Sequence, residues 1–263
     1  MSLIGLFLIN KNVRIFRESP RMNHDDLPAS AVRLLEQLQR SQSFHHDGAA
    51  GIEHEFNALR RWQSARLIRT HADLLADPDY RPAAEFFLDE LYGDRDFQQR
   101  EQDLARIVPM MTHILPASVL HTATLALELN ALSYELDARV TRVLAAEFQV
   151  HESLDEAVYV AAYRCCANYA LRRHQIELIE QLGQDLKRIV QKPFIHTALK
   201  VARTPARLAG VGELHHFLDV GFHAFRAMGR NAGSFIATIV SRERAILERI
   251  QAGHAHPLDL QQE

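Results

Sequence analysis

Residues 117–148 read ASVLHTATLALELNALSYELDARVTRVLAAEF, and their periodicity decides the fold class. Leu125, Leu129, Leu132, Leu136, Val140 and Val143 recur at three- and four-residue spacing, which places them in one stripe of an α-helix. Leu120, Leu127, Ala131 and Tyr134 form a second stripe. His121, Glu128, Glu135 and Arg142 recur every seven residues on the outside. A helix with two apolar stripes needs neighbours on two sides, so this segment predicts a helical bundle.

The pattern extends in both directions. Ser153 and Glu156 have the spacing of a capping box. The following stretch, AVYVAAYRCCANYAL from Ala157 to Leu171, is apolar all round except for Arg164 and Asn168. It predicts a central helix over 154–174 that continues through Gln175 and Ile179 to Gln191, with Gly183 as a weak point. Pro193 opens a shorter helix that Thr204-Pro205 should end. Gly210 and Gly212 form a turn, and helices follow over Leu214–Met228 and Phe235–Ile250 with Gly229 between them. His254–Glu263 reads as a loose tail. Upstream, Val32, Leu35 and Leu38 mark a helix and His45–Gly51 a loop. Ile52, Phe56, Leu59, Gln63, Leu67 and Leu74 then follow helical spacing up to Asp77-Pro78. No stretch alternates long enough to predict a strand, so the expectation is an all-α single domain, a multi-helix bundle of about nine or ten helices.

Tyr80–Ile107, YRPAAEFFLDELYGDRDFQQREQDLARI, holds the most distinctive string in the chain. Pro82 suits the first turn of a helix, and Gly93 supplies its left-handed stop. Asp96 stands where the N-cap of a second helix belongs. The FFLDELYG string, with YRCCANYALRRHQIELIEQLG and LHHFLDVGFHAF further on, resembles a bacterial family of all-helical proteins with no assigned function. That family carries an FFLxxLYG motif, and the resemblance runs from about Trp62 to Arg249. It implies an all-helical fold and no activity.

Composition narrows the class. Apolar residues make up 47% of the 263 positions, enough for a sizeable core, and charged residues 24%. A net charge of −3 argues against general nucleic-acid binding, which needs a basic domain. Cys165 and Cys166 are adjacent and cannot form an ordinary structural bridge, which fits a reducing, cytoplasmic setting. The apolar run Leu3–Ile9 is too short to span a bilayer, and no other stretch approaches that length. Residues 1–27 read as an N-terminal tail that need not be the native start, 28–252 as the single domain, and 253–263 as the C-terminal tail.

Three constellations could carry chemistry. Arg164, Asn168 and Arg172, with Gln175, fall on one face of a continuous helix and would grip a small anionic ligand. An internal salt bridge from Arg164 to Asp89, Glu90 or Asp219 is one alternative, and a solvated edge is the plainer one. Lys192, His196, Lys200 and Arg203 line one side of a helix, and no acidic residue stands between Asp185 and Glu213. That face, with a helix N-terminus expected at Pro205, suits an acidic protein partner, a phosphate-bearing ligand or a membrane surface; the alternative is ordinary solvation. His215, Asp219 and His223 at i, i+4 and i+8 have metal-ligand spacing, but Glu213 and His216 form the only Glu-x-x-His and HExxH is absent. A lone His113, His121 or His174 would suit a haem axial ligand. No P-loop, GxGxxG, G-x-S-x-G or CxxC occurs. The favoured expectation is a non-catalytic, cytoplasmic binder of a partner or small anionic ligand, without cofactor, with a homodimer open. The alternative is a metal- or haem-dependent oxidoreductase built on a helical bundle.

Overall fold

The computed structural model describes residues 32–39, 51–91 (side chains through Leu88), 103–104, 116–150 and 153–260. Every regular element among them is helical. In chain order they are α1 (32–39), α2 (Glu53–Thr70), α3 (Ala72–Ala76), α4 (Arg81–Leu91), α5 (Ala117–Glu147), α6 (Glu156–Cys166), α7 (Tyr169–Ile189), α8 (Pro193–Leu208), α9 (Gly212–Ala227) and α10 (Ala232–Ala252). A 3-10 turn, Gly229–Asn231, joins the last two. The Gly93 turn, the Asp96 cap and the Pro109 break expected from the sequence lie outside the described residues.

The 31-residue α5 buries both predicted stripes: Leu120, Leu127 and Ala131 on one, Leu125, Leu132, Leu136 and Val140 on the other. It runs antiparallel to α7, and α7 packs against α10 on its other side. The hub is therefore α7 and not the predicted helix over 154–174. That helix breaks at Ala167, which sits in the left-handed region at φ 48° and donates its N–H to the Arg164 carbonyl. The first half, α6, buries Tyr159, Val160, Ala162 and Tyr163 but leaves Cys165 exposed, so it is not apolar all round in its setting. Its N-cap is Asp155, whose carboxylate accepts from the Val158 N–H at 2.8 Å, and not Ser153. Asp155 sits three residues before that N–H, the reach a capping side chain needs.

Gly183 turns out to be a packing contact. A Cβ there would stand 2.9 Å from Ile236 Cγ1, so its absence lets α7 and α10 approach closely. Gly221 plays the same part on α9, where a Cβ would meet Phe86 Cζ at 2.6 Å. The aromatic residues of α4 and α9 join one core: Phe86 contacts Phe217, and Phe87 stands edge-on to Phe225. Phe235, 1% exposed, lies against Phe87 and Tyr80. Full burial of such a ring contributes about 2–3 kcal/mol.

Three further expectations are corrected. The helix over 52–76 breaks at His71, where Arg242 takes the Thr70 carbonyl at 3.0 Å. Thr204-Pro205 does not end α8, which runs through Pro205 to Leu208. Pro205 sits in the last turn, and the i−4 residue that loses its hydrogen bond, Val201, is on the solvent side, where water can serve its carbonyl. No helix N-terminus is therefore available at Pro205 for an anion. Finally, residues 254–260 are not loose. Pro257 is fully buried, and Leu258 and Leu260 pack on the main core.

Candidate functional site

The buried face of α7 carries an arginine. Arg172 is 6% exposed and lies in the seam between α7 and α5. Its Nη1 donates to Gln175 Oε1 at 3.2 Å and stands 4.0 Å from Asp137 Oδ1. Nη2 reaches the Leu136 carbonyl only at 3.5 Å, and Nε has no partner. Its guanidinium carbon lies 4.7 Å from the centre of the Tyr163 ring. Gln63 of α2 donates to Asp137 Oδ1 at 2.9 Å, while its own Oε1 is unpartnered, and Gln175 donates to Ser133 Oγ at 2.7 Å. Burial raises the Asp137 carboxyl above the ordinary aspartate value, and the opposing charge of Arg172 and the Gln63 hydrogen bond do not cancel it. Burial also pushes the Tyr159 and Tyr163 phenols up, so both hold their protons.

These residues form one end of a cavity of about 1070 Å³ that is partly open to solvent. Its walls follow α5 from Asp137 to Val119 and α7 from Arg172 to Val190. At 1.5 Å rise per residue that path is about 27 Å long. Beyond the polar end the lining is almost wholly aliphatic and aromatic: Leu129, Ile179, Leu182 and Leu186, then Phe217 and Phe222. Ala198, Val201 and Pro205 of α8 and Leu218 of α9 also line it.

A second polar cluster shares the wall near α10. Arg66 Nη1 donates to Glu243 Oε1 at 2.5 Å, and His71 Nε2 stands 3.4 Å from the same oxygen. Arg242 makes two 2.7 Å bonds to the Asp73 carboxylate and approaches His71 Nδ1 at 3.5 Å. That arrangement suits a His71 that donates through Nε2 to Glu243. Burial would raise the Glu243 carboxyl, but the Arg66 charge and the hydrogen bonds from His71 and Arg66 outweigh it and bring it down to about 2.

The expected ligand set does not come together. Because the helix breaks at Ala167, Arg164 and Arg172 do not share one face. Arg164 donates to the Ile250 carbonyl at 2.9 Å and the His254 carbonyl at 2.8 Å, closing the C-terminus of α10. It pairs with backbone carbonyls and not with Asp219; the side chains of Asp89 and Glu90 lie outside the described residues. Asn168 sits at the break, its Nδ2 buried and unpartnered, outside the cavity lining. Arg172 and Gln175 alone reach the cavity. Lys200 and Arg203 are exposed on α8; Lys192 donates to Ser118 Oγ at 3.2 Å, and His196 stacks on Phe222. Among the described residues, no three His, Cys, Asp or Glu side chains converge as metal ligands. His215 points at the Leu199 carbonyl, 2.8 Å away, and His223 turns back to the Asp219 carbonyl at 2.8 Å. His174 meets Glu128 at 3.2 Å and His121 lies 3.9 Å from Asp185, both toward the outside; His113 lies outside the described residues.

Sequence reasoning missed Asp137, Tyr159, Tyr163, Ser133, Arg66 and Glu243. One signal was available: Gln63 occupies an apolar position of its helix and is 6% exposed. The sequence model of a domain of unknown function, DUF8198, matches residues 42–257. The chain belongs to this family. No curated protein and no solved structure matches it. The DUF8198 match spans every lining residue of the cavity except Leu258, so polar end and apolar walls both belong to the family domain. No helix among the described residues is long and apolar enough to cross a membrane.

Proposed function

We propose that this DUF8198 protein is a non-catalytic binder of an elongated, mainly apolar molecule ending in an acidic or hydrogen-bond-accepting head, as in a long-chain fatty acid. The observation that carries the reading is Arg172. A buried guanidinium is strongly unfavourable unless its donors are met. Apart from the Gln175 bond and the Tyr163 ring, Arg172 has an unpartnered Nε, one long contact to a carbonyl and a carboxylate 4.0 Å away. It stands at the polar end of a cavity whose remaining walls suit an acyl chain. Burial raises the Asp137 carboxyl, so its charge is held less firmly than in a closed pair, and at 4.0 Å it leaves room for a head group beside Arg172. The volume is at the upper end for small-molecule sites, and an apolar lining with a few convergent polar groups is their usual make-up.

Displacement of anilinonaphthalene sulfonate by palmitate tests this. Wild-type protein should bind the dye in the cavity and release it to palmitate. Arg172→Met should weaken palmitate at least tenfold, since a hydrogen bond to a charged group contributes about 1.5–3 kcal/mol. Arg172→Lys should restore part of the affinity. Equal palmitate affinity in wild type and Arg172→Met, with both variants folded by circular dichroism, would overturn the assignment.

A further inference from the structure

We infer that the outer side of α8 is a docking surface for an anionic lipid bilayer, placed over a mouth of the cavity. Phe194, Val201 and Leu208 recur every seven residues along α8 and remain 50%, 36% and 81% exposed. They form one apolar line about 21 Å long. Leu218 of α9 is 43% exposed, and both it and Val201 also line the cavity. The apolar interior and the apolar surface therefore meet at Val201 and Leu218, with Ala198 and Pro205 between them on the α8 side.

The side of α8 away from that line is cationic, with Lys200 and Arg207 about a third of a turn from it and Arg203 close to opposite Phe194. Lys200, Arg203 and Arg207 are exposed, Lys192 stands at the helix start, and no acidic residue occurs between Asp185 and Glu213. Among the described residues, Lys200, Arg203 and Arg207 enter no ion pair. Desolvation first, then the charges of Lys200 and Arg226, lower the His196 imidazole, so it adds little to the cationic set. Apolar side chains beside lysines and arginines on one helix are what an interfacial helix presents to anionic headgroups. An acidic protein would be met by the charges alone and would leave the line from Phe194 to Leu208 without use; the bilayer engages both. The ligand's route between bilayer and cavity rests on the proposed function, whereas the contact with lipid stands by itself.

The experiment is flotation of the full chain with phosphatidylcholine vesicles, with and without about one-quarter phosphatidylserine. Binding is expected to the anionic vesicles and not to the neutral ones. Each cation near such a surface is worth about fivefold in partition, so Lys200→Ser/Arg203→Ser/Arg207→Ser should lose on the order of a hundredfold. Phe194→Ser/Leu208→Ser should also release the protein from anionic vesicles. Both variants change exposed residues only and should keep dye and palmitate binding in lipid-free buffer, which separates a failure of the surface from a failure of the cavity. Absence of wild-type flotation with the anionic vesicles would overturn the inference. So would charge-dependent flotation that Phe194→Ser/Leu208→Ser leaves untouched, since the apolar line would then take no part in the contact.

Discussion

At the seam of α2 and α10, Arg66 and Glu243 meet at 2.5 Å, with His71 on the same carboxylate oxygen and Arg242 bound to Asp73 alongside. At the seam of α5 and α7, Arg172 and Asp137 stay 4.0 Å apart, and the arginine's Nε has no partner. Both clusters are buried in one bundle and line one cavity, yet their carboxylates move in opposite directions. Glu243 is held at about 2, whereas Asp137 is raised. A closed ion pair offsets its desolvation by short contacts and hydrogen bonds; an open one does not. On the proposed function, the difference separates a fastening from a site. The first cluster joins the break between α2 and α3 to α10, and the second leaves the Arg172 Nε without a partner.

The largest effect should come from breaking the closed cluster. Glu243→Gln leaves Arg66 buried beside a neutral amide, and urea denaturation should show a loss of about 3–5 kcal/mol. The acid limb of stability sharpens the same point. Glu243 has a folded value near 2, below its ordinary 4.5, so its contribution is present above pH 4.5 and lost as pH falls toward 2. That loss should be on the order of 3 kcal/mol in wild type and absent in Glu243→Gln. Asp137 has the opposite sign. Its folded value is raised, so its contribution is present below the ordinary 3.8 and is lost as pH rises through the folded value. Asp137→Asn should therefore cost about 1 kcal/mol or less at neutral pH and remove that loss. A neutral-pH loss as large as that of Glu243→Gln would mean that the two clusters do not differ.

Arg164 provides a middle case. Its two bonds to carbonyls at the end of α10 predict that Arg164→Met costs about 1.5–3 kcal/mol and speeds amide exchange over residues 254–260, with palmitate affinity unchanged. The smallest effect concerns the break itself. Ala167 holds φ 48°, and relief of its strain by Ala167→Gly should raise stability by up to about 1 kcal/mol. A decrease there would show that the break is held by contacts of the alanine methyl.

Much of the bundle was legible because helical periodicity is a local property. The two stripes of α5 and the Gly229 junction follow from spacing. The break at Ala167 was not legible, since alanine favours a helix and nothing in the local sequence marks a left-handed residue there. The mistaken hub follows from the same cause: AVYVAAYRCCANYAL is apolar in composition, but the turn redirects its second half. Of the candidate site, Arg172 could be named from the sequence. Asp137 could not, because a carboxylate beside a buried leucine is indistinguishable from one on a solvated edge until α7 and α2 are in place. Gln63, at an apolar position of α2, was the one local sign of a polar interior.

Native mass spectrometry of protein purified without detergent and incubated with palmitate tests the central claim most directly. The account predicts one bound acid per chain in wild type and in Glu243→Asp, and bare protein for Arg172→Met. Bare wild-type protein, or equal occupancy in Arg172→Met, would contradict it.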